Sequence, residues 1–210
     1  MKKDDNRIVV IVTAAVFILV TAVIYILDIL MPKNFNNNYA LSFGNENSKI
    51  KVFIFEDFKC KNCKKLSYHF TPVIKENYLD SDKINYNILP LSFVCGSKTI
   101  ANAAFAVYQL NKNEFFNFLK KVSYEELESK EDIFKIVKEL NGINFEIFKE
   151  LVNKEVFNEY LDQNFSKAKE IMKKNFKVPA IYINGYLIDE ENFSNVIEEY
   201  LAMDKKNESF

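Results

Sequence analysis

Cys60 and Cys63, two residues apart in FEDFKCKNCKK, are the residues whose type and spacing could do chemistry, and the chain has one other cysteine, Cys95. A CxxC pair can be half of a zinc site, a haem attachment point or a redox dithiol. Zinc takes about four ligands, commonly from two such pairs or from one pair and two closely spaced histidines. The only further donors of those types are Cys95 and the single histidine, His69, so structural zinc is the minor alternative. Covalent haem requires CxxCH, and position 64 is Lys. A redox dithiol is the favoured reading, and it calls for no metal and no cofactor.

The flanking sequence says which elements must hold the pair. Residues 50–55, IKVFIF, are β-branched and aromatic and read as a mostly buried strand ending at Glu56-Asp57. Beyond the cysteines, Leu66, Phe70, Val73 and Ile74 recur at helical spacing, so the pair opens a helix running to Tyr78 with a kink at Pro72. A helix start offers unpaired N–H groups and the positive end of the dipole, which stabilise a thiolate and make Cys60 the nucleophile. Lys59, Lys61, Lys64 and Lys65 favour the same anion. Cys63, one turn in, is the thiol that resolves a mixed disulfide. His69, nine residues after Cys60, reads as a structural or surface residue. Cys95, in SFVCGSK, reads as a small buried apolar residue, with an exposed thiol open to intermolecular pairing as the alternative.

The rest of the chain reads as α/β. A strand is expected over 84–89 and helices over 98–175, where Ser129-x-x-Asp132 caps one helix ended by Gly142, Asn144 caps the next and a longer one covers about 155–174. Strand returns at 178–183, turns at Asn184-Gly185, a strong hairpin signal, and runs back through Tyr186, Leu187 and Ile188. Asp189 is placed to cap a last helix, and 204–210 reads as a tail.

At the other end, residues 8–27 are apolar except for Thr13 and Thr21, about the length that crosses a bilayer as a helix. No small-residue cleavage pattern follows, so 8–31 reads as an uncleaved anchor, with cleaved secretion the lesser alternative. Lys2, Lys3 and Arg7 precede the span and only Lys33 closely follows it, which puts residues 1–7 in the cytoplasm and everything from about residue 32 onward outside it. Disulfides persist there. Residues 32–48 read as a tether, and a net charge of -1 gives no footprint for nucleic acid.

FEDFKCKNC after an apolar strand, followed by VPAIYINGYLI near the C-terminus, resembles the DsbA-like branch of the thioredoxin superfamily in its membrane-anchored or secreted forms; the resemblance spans about residues 49–203. It implies a thioredoxin-like fold with a helical insertion. It further implies a thiol:disulfide oxidoreductase that introduces disulfides into exported proteins through Cys60 and Cys63 and is reoxidised by a quinone-linked membrane partner. In that family the proline matching Pro179 is cis and faces the pair, and the backbone of Val178 would pair with an extended substrate segment as an added strand. Two positions depart from the pattern. The inter-cysteine dipeptide is Lys61-Asn62, where strongly oxidising relatives often carry proline and then an aromatic residue or histidine, which leaves oxidising strength open. Ile54 stands six residues before Cys60, where many relatives have an acid; Glu56 or Asp57 could replace it, although carboxylates at strand ends are more often solvated. The rival readings are a membrane-anchored reductase or isomerase, and a redox-inactive binding module, which would need neither cysteine.

Overall fold

The computed structural model describes residues 2–35 and 39–207. Met1 of the expected cytoplasmic segment, residues 36–38 of the expected tether and residues 208–210 of the expected tail lie outside the described residues. The chain divides into two compact units, Met1–Lys33 and Asn34–Phe210.

The first unit is one helix, α1 (Lys2–Leu30). Its stretch Val9–Leu27 is long and apolar enough to cross a membrane, and none of its most apolar window is buried by protein. The two threonines do not break its apolar character, because their hydroxyls donate back within the helix, Thr13 to the carbonyls of Val9 and Val10 and Thr21 to that of Ile18.

In the second unit a five-stranded sheet has the order β1-β3-β2-β4-β5, from β1 (Leu41–Gly44), β2 (Lys51–Glu56), β3 (Asn85–Pro90), β4 (Ala180–Ile183) and β5 (Tyr186–Ile188). Among the described residues, only the β2·β3 pairing is parallel. Successive side chains of a strand point to opposite faces, and both faces here are covered. Val52, Ile54, Tyr86, Ile88, Ile181 and Ile183 join the larger core, while Phe53, Phe55, Leu89, Ala180 and Tyr182 join a second core with Ala168, Ile171 and Met172. That is why β2 reads as a continuous apolar run rather than an alternation.

β1 lies inside the stretch 32–48 expected to be a tether, so the folded unit begins before Lys49. A strand of four residues is too short to show periodicity; it exists because Leu41 and Phe43 enter the core and its backbone pairs with β3. Gly44 closes it at φ +75°, where a Cβ would stand 2.5 Å from the Ile84 carbonyl oxygen.

Between β2 and β3, residues 61–79 are continuously helical: α2 (Lys61–Lys65), a π turn over Leu66–Phe70, α3 (Thr71–Ile74) and a second π turn over Lys75–Leu79. The expected break at Pro72 takes the form of this widened turn, and Pro72, which cannot donate a hydrogen bond, stands in the first turn of α3, two residues after the π segment ends. Five helices follow β3: α4 (Ser97–Leu110), α5 (Phe115–Tyr124), α6 (Lys130–Lys138), α7 (Phe145–Asn153) and α8 (Asn158–Met172). Ser129 and Asp132 form a reciprocal capping box on α6, and the Asn144 side chain accepts from the Ile147 N–H on α7. Phe115, Phe118, Phe148 and Phe157 of this block share the larger core with the sheet, so the insertion is continuous with the domain. Asn184 and Gly185 both have positive φ, as their hairpin requires. Asp189 makes no side-chain cap; a 3₁₀ turn, Glu190–Asn192, intervenes before α9 (Phe193–Asn207), which runs into the stretch expected to be tail.

Candidate redox site

The site is built where β2, the central strand, ends. Asp57, fully buried just beyond it, organises the loop that presents Cys60. Its Oδ1 accepts the Lys59 N–H at 3.0 Å and its carbonyl accepts the Cys60 N–H at 2.8 Å. Its Oδ2 accepts the Phe93 and Val94 N–H groups and the Ser97 hydroxyl at 3.0, 2.9 and 2.8 Å, tying this loop to the one after β3. One carboxylate thus satisfies four donors and holds two loops in register.

Cys60 is the N-cap of α2, with extended backbone, and its carbonyl accepts the Lys64 N–H at 2.9 Å. It is half-buried, while Cys63, one turn in, is fully buried. The Cys60 Sγ lies 3.8 Å from the carbonyl oxygen of Val178, where the chain enters β4, and the Val178–Pro179 peptide is cis. Cys60, Cys63, Val178 and Pro179 therefore meet in one place, although 118 positions separate Cys60 from Val178.

Behind the sulfurs sits a buried polar cluster. Glu56 and Asp57 are buried rather than solvated, because the strand they end is covered on both faces. The Ser67 hydroxyl donates to Glu56 Oε2 at 2.9 Å. Burial pushes the Glu56 carboxyl up to about 8, with the Ser67 hydrogen bond opposing and the Asp57 charge adding. The Cys63 thiol is pushed above the ordinary thiol range, first by burial and then by the Glu56 carboxylate, with a hydrogen bond to the Asp57 backbone working the other way. Burial and Glu56 also raise the Tyr86 phenol, whose oxygen lies 3.5 Å from the Thr71 hydroxyl.

Other sequence candidates are placed differently. Cys95 is exposed, not buried: it lies in the loop whose backbone Asp57 clamps, beside Gly96 at φ +74°, and its side chain does not enter the core. His69 is exposed on the first π turn, its ring 4.8 Å from that of Tyr68. Lys61 and Lys65 are exposed, while Lys59 and Lys64 are half-buried. The Lys64 ammonium donates to the Glu125 carbonyl at 2.7 Å and is held below the usual lysine range by burial, with Glu126 opposing and Lys59 adding. Among the described residues, no three His, Cys, Asp or Glu side chains converge as a metal site.

One feature of the site escapes linear reading: an aromatic shelf of Phe93, Phe165 and Phe176, with Phe93 and Phe176 centroids 5.4 Å apart. Phe93 is on the loop clamped by Asp57 and Phe176 lies two residues before Val178. Their convergence depends on three separate segments, so no spacing in the sequence signals it.

A family model described as thioredoxin matches residues 36–202. A protein of Bacillus anthracis named "Probable disulfide bond formation protein D" is 25% identical over an alignment of 206 positions that covers 90% of this chain and 93% of that protein. Oxidised BdbD from Bacillus subtilis superposes with a TM-score of 0.71 at 20% identity, covering 82% of this chain and 98% of that one. DsbA from Chlamydia trachomatis superposes with a TM-score of 0.70 at 21% identity over the same shares.

Proposed function

The chain belongs to the thioredoxin family, and from that premise we propose that it is a thiol:disulfide oxidoreductase that works outside the cytoplasm and introduces disulfides into exported proteins. The observation that carries this reading is the pairing of a half-buried Cys60 sulfur, 3.8 Å from the Val178 carbonyl, with a fully buried Cys63 behind it. An attacking thiol can reach the first sulfur and not the second.

A substrate thiolate attacks Cys60 of the Cys60–Cys63 disulfide; a substrate–Cys60 bond forms, the original S–S bond breaks, and Cys63 leaves with the electron pair. Burial disfavours a thiolate at Cys63, so the leaving sulfur takes a proton. Glu56, pushed up to about 8, holds one at neutral pH and stands as its donor. A second substrate thiolate then attacks the substrate sulfur, the substrate disulfide forms, and Cys60 departs as a thiolate. Two electrons have passed from the substrate to the pair.

The backbone of Val178 pairs with the extended substrate segment, and Pro179 lies beside it at the start of β4. α1 anchors the protein, and the basic residues before the span support a cytoplasmic N-terminus. A quinone-linked membrane partner restores the disulfide by accepting the two electrons. The test is trapping. Cys63→Ala should accumulate mixed disulfides with exported proteins through Cys60, and Cys60→Ala should accumulate few or none. Equal trapping by both variants would overturn the assignment of roles.

A further inference from the structure

The lysines at the redox face ask what they are for. Four of the seven residues from Lys59 to Lys65 are lysine and none is acidic. Lys59 and Lys61 flank Cys60 in the chain, and Lys65 lies one turn beyond Lys61 on the same exposed side of the helix. Lys177 precedes Val178, whose carbonyl oxygen is 3.8 Å from the Cys60 sulfur. Elsewhere in the domain Lys49, Lys75, Lys98, Lys121, Lys135, Lys154 and Lys167 each sit within 4 Å of a carboxylate. Among the described residues, no such ion pair is made by Lys59, Lys61, Lys65 or Lys177.

The local acids do not cancel this field. Asp57 is buried and its oxygens are committed to the donors of the two loops. Glu125 and Glu126 lie on the Lys64 side, where the Glu126 charge acts on the Lys64 ammonium. Thirteen of the 29 acidic residues fall between Glu114 and Glu170 and four more are Glu190, Glu191, Glu198 and Glu199 of the C-terminal segment, in a protein whose net charge is -1. Lys59, Lys61 and Lys65, close to Cys60 in the chain, and Lys177 beside Val178 put positive charge next to the reacting sulfur.

We propose that the site selects cysteines carried in acidic, extended polypeptide segments, whose Asp and Glu side chains settle among Lys59, Lys61, Lys65 and Lys177. The proposal rests on the redox reading of Cys60. A strand laid along Val178 advances about 3.3 Å per residue, so the side chains within two positions of the substrate cysteine fall between the lysines of α2 and Lys177. Charge of one sign around a reacting group raises the encounter rate of the opposite sign by about 10 to 1,000-fold, and salt removes the advantage. Lysine suits this task, because a flexible ammonium takes carboxylates in many positions without demanding one geometry.

The experiment uses the full-length oxidised protein in a non-ionic detergent and two synthetic peptides, each with two cysteines, differing only in having Glu or Lys beside them. Each rate of oxidation is normalised to that peptide's reaction with bis(hydroxyethyl) disulfide, which removes the effect of the flanking charge on the peptide thiols themselves. At about 10 mM salt, where the screening length is about 30 Å, the normalised rate for the acidic peptide should exceed that for the basic one by about tenfold or more, and the ratio should fall towards one at about 1 M. The triple variant Lys61→Gln, Lys65→Gln, Lys177→Gln should lower the low-salt ratio. A ratio near one at low salt, or one that salt does not change, overturns the proposal while leaving the redox reading intact. Oxidation of neither peptide overturns both.

Discussion

Glu56→Gln probes the buried carboxyl behind Cys63 most directly. The folded protein holds the Glu56 proton up to about 8, whereas the unfolded chain releases it near the ordinary value of 4.5. Between those values the folded state binds more protons, so stability falls as pH rises, by about 1.4 kcal/mol per pH unit, and the loss is complete once the folded carboxyl has ionised. At neutral pH the accumulated cost is roughly 3 kcal/mol. Glutamine keeps the shape and can still accept the Ser67 hydroxyl, but it does not titrate; the altered hydrogen bond costs about 1 kcal/mol. The variant should therefore be no more stable than the parent at about pH 5 and roughly 2 kcal/mol more stable at neutral pH, with a flatter profile between. The assay is denaturant unfolding of the reduced full-length protein in non-ionic detergent, followed by circular dichroism across that range. A variant profile as steep as that of the parent refutes the reasoning, because another group would then carry the titration. The resolving step gives an independent readout: decay of the Cys60 mixed disulfide should depend on a group titrating near 8 in the parent and lose that inflection in the variant.

Asp57→Asn should destabilise the domain by about 3 kcal/mol in urea unfolding, because an NH₂ group would replace one of two oxygens that both face donors, and a buried N–H would be left opposed by another. Phe118→Ala, at a fully buried ring of α5 in the larger core, should cost about 3–5 kcal/mol in the same assay. Cys95 should react with a maleimide in the folded protein, with Cys63 reacting only on unfolding, as intact mass and peptide mapping will show. Cys95→Ser should change stability by less than about 0.5 kcal/mol, and a larger loss would mean that the thiol is packed after all.

The amino-acid sequence by itself determined most of the elements and their order, β1 excepted. The apolar run of β2, the Ser129 and Asn144 caps and the Asn184-Gly185 turn are local instructions, each acting through neighbours a few residues away. The CxxC at a helix start and the apolar span of α1 are local in the same way. What sequence did not disclose depends on contacts between distant segments. β1 is a strand only because β3 lies beside it, and the acid at Glu56 is buried only because both faces of the sheet are covered. Cys95 points outward because Asp57, 38 positions earlier, clamps its loop. The Val178 carbonyl stands 3.8 Å from the Cys60 sulfur because β4 pairs with β2. Secondary structure needs only short-range hydrogen bonds and side-chain spacing, whereas burial, and with it the proton affinity of a carboxyl or thiol, is set by what the rest of the chain places around it. Tertiary structure alone therefore decided the chemistry of this pair.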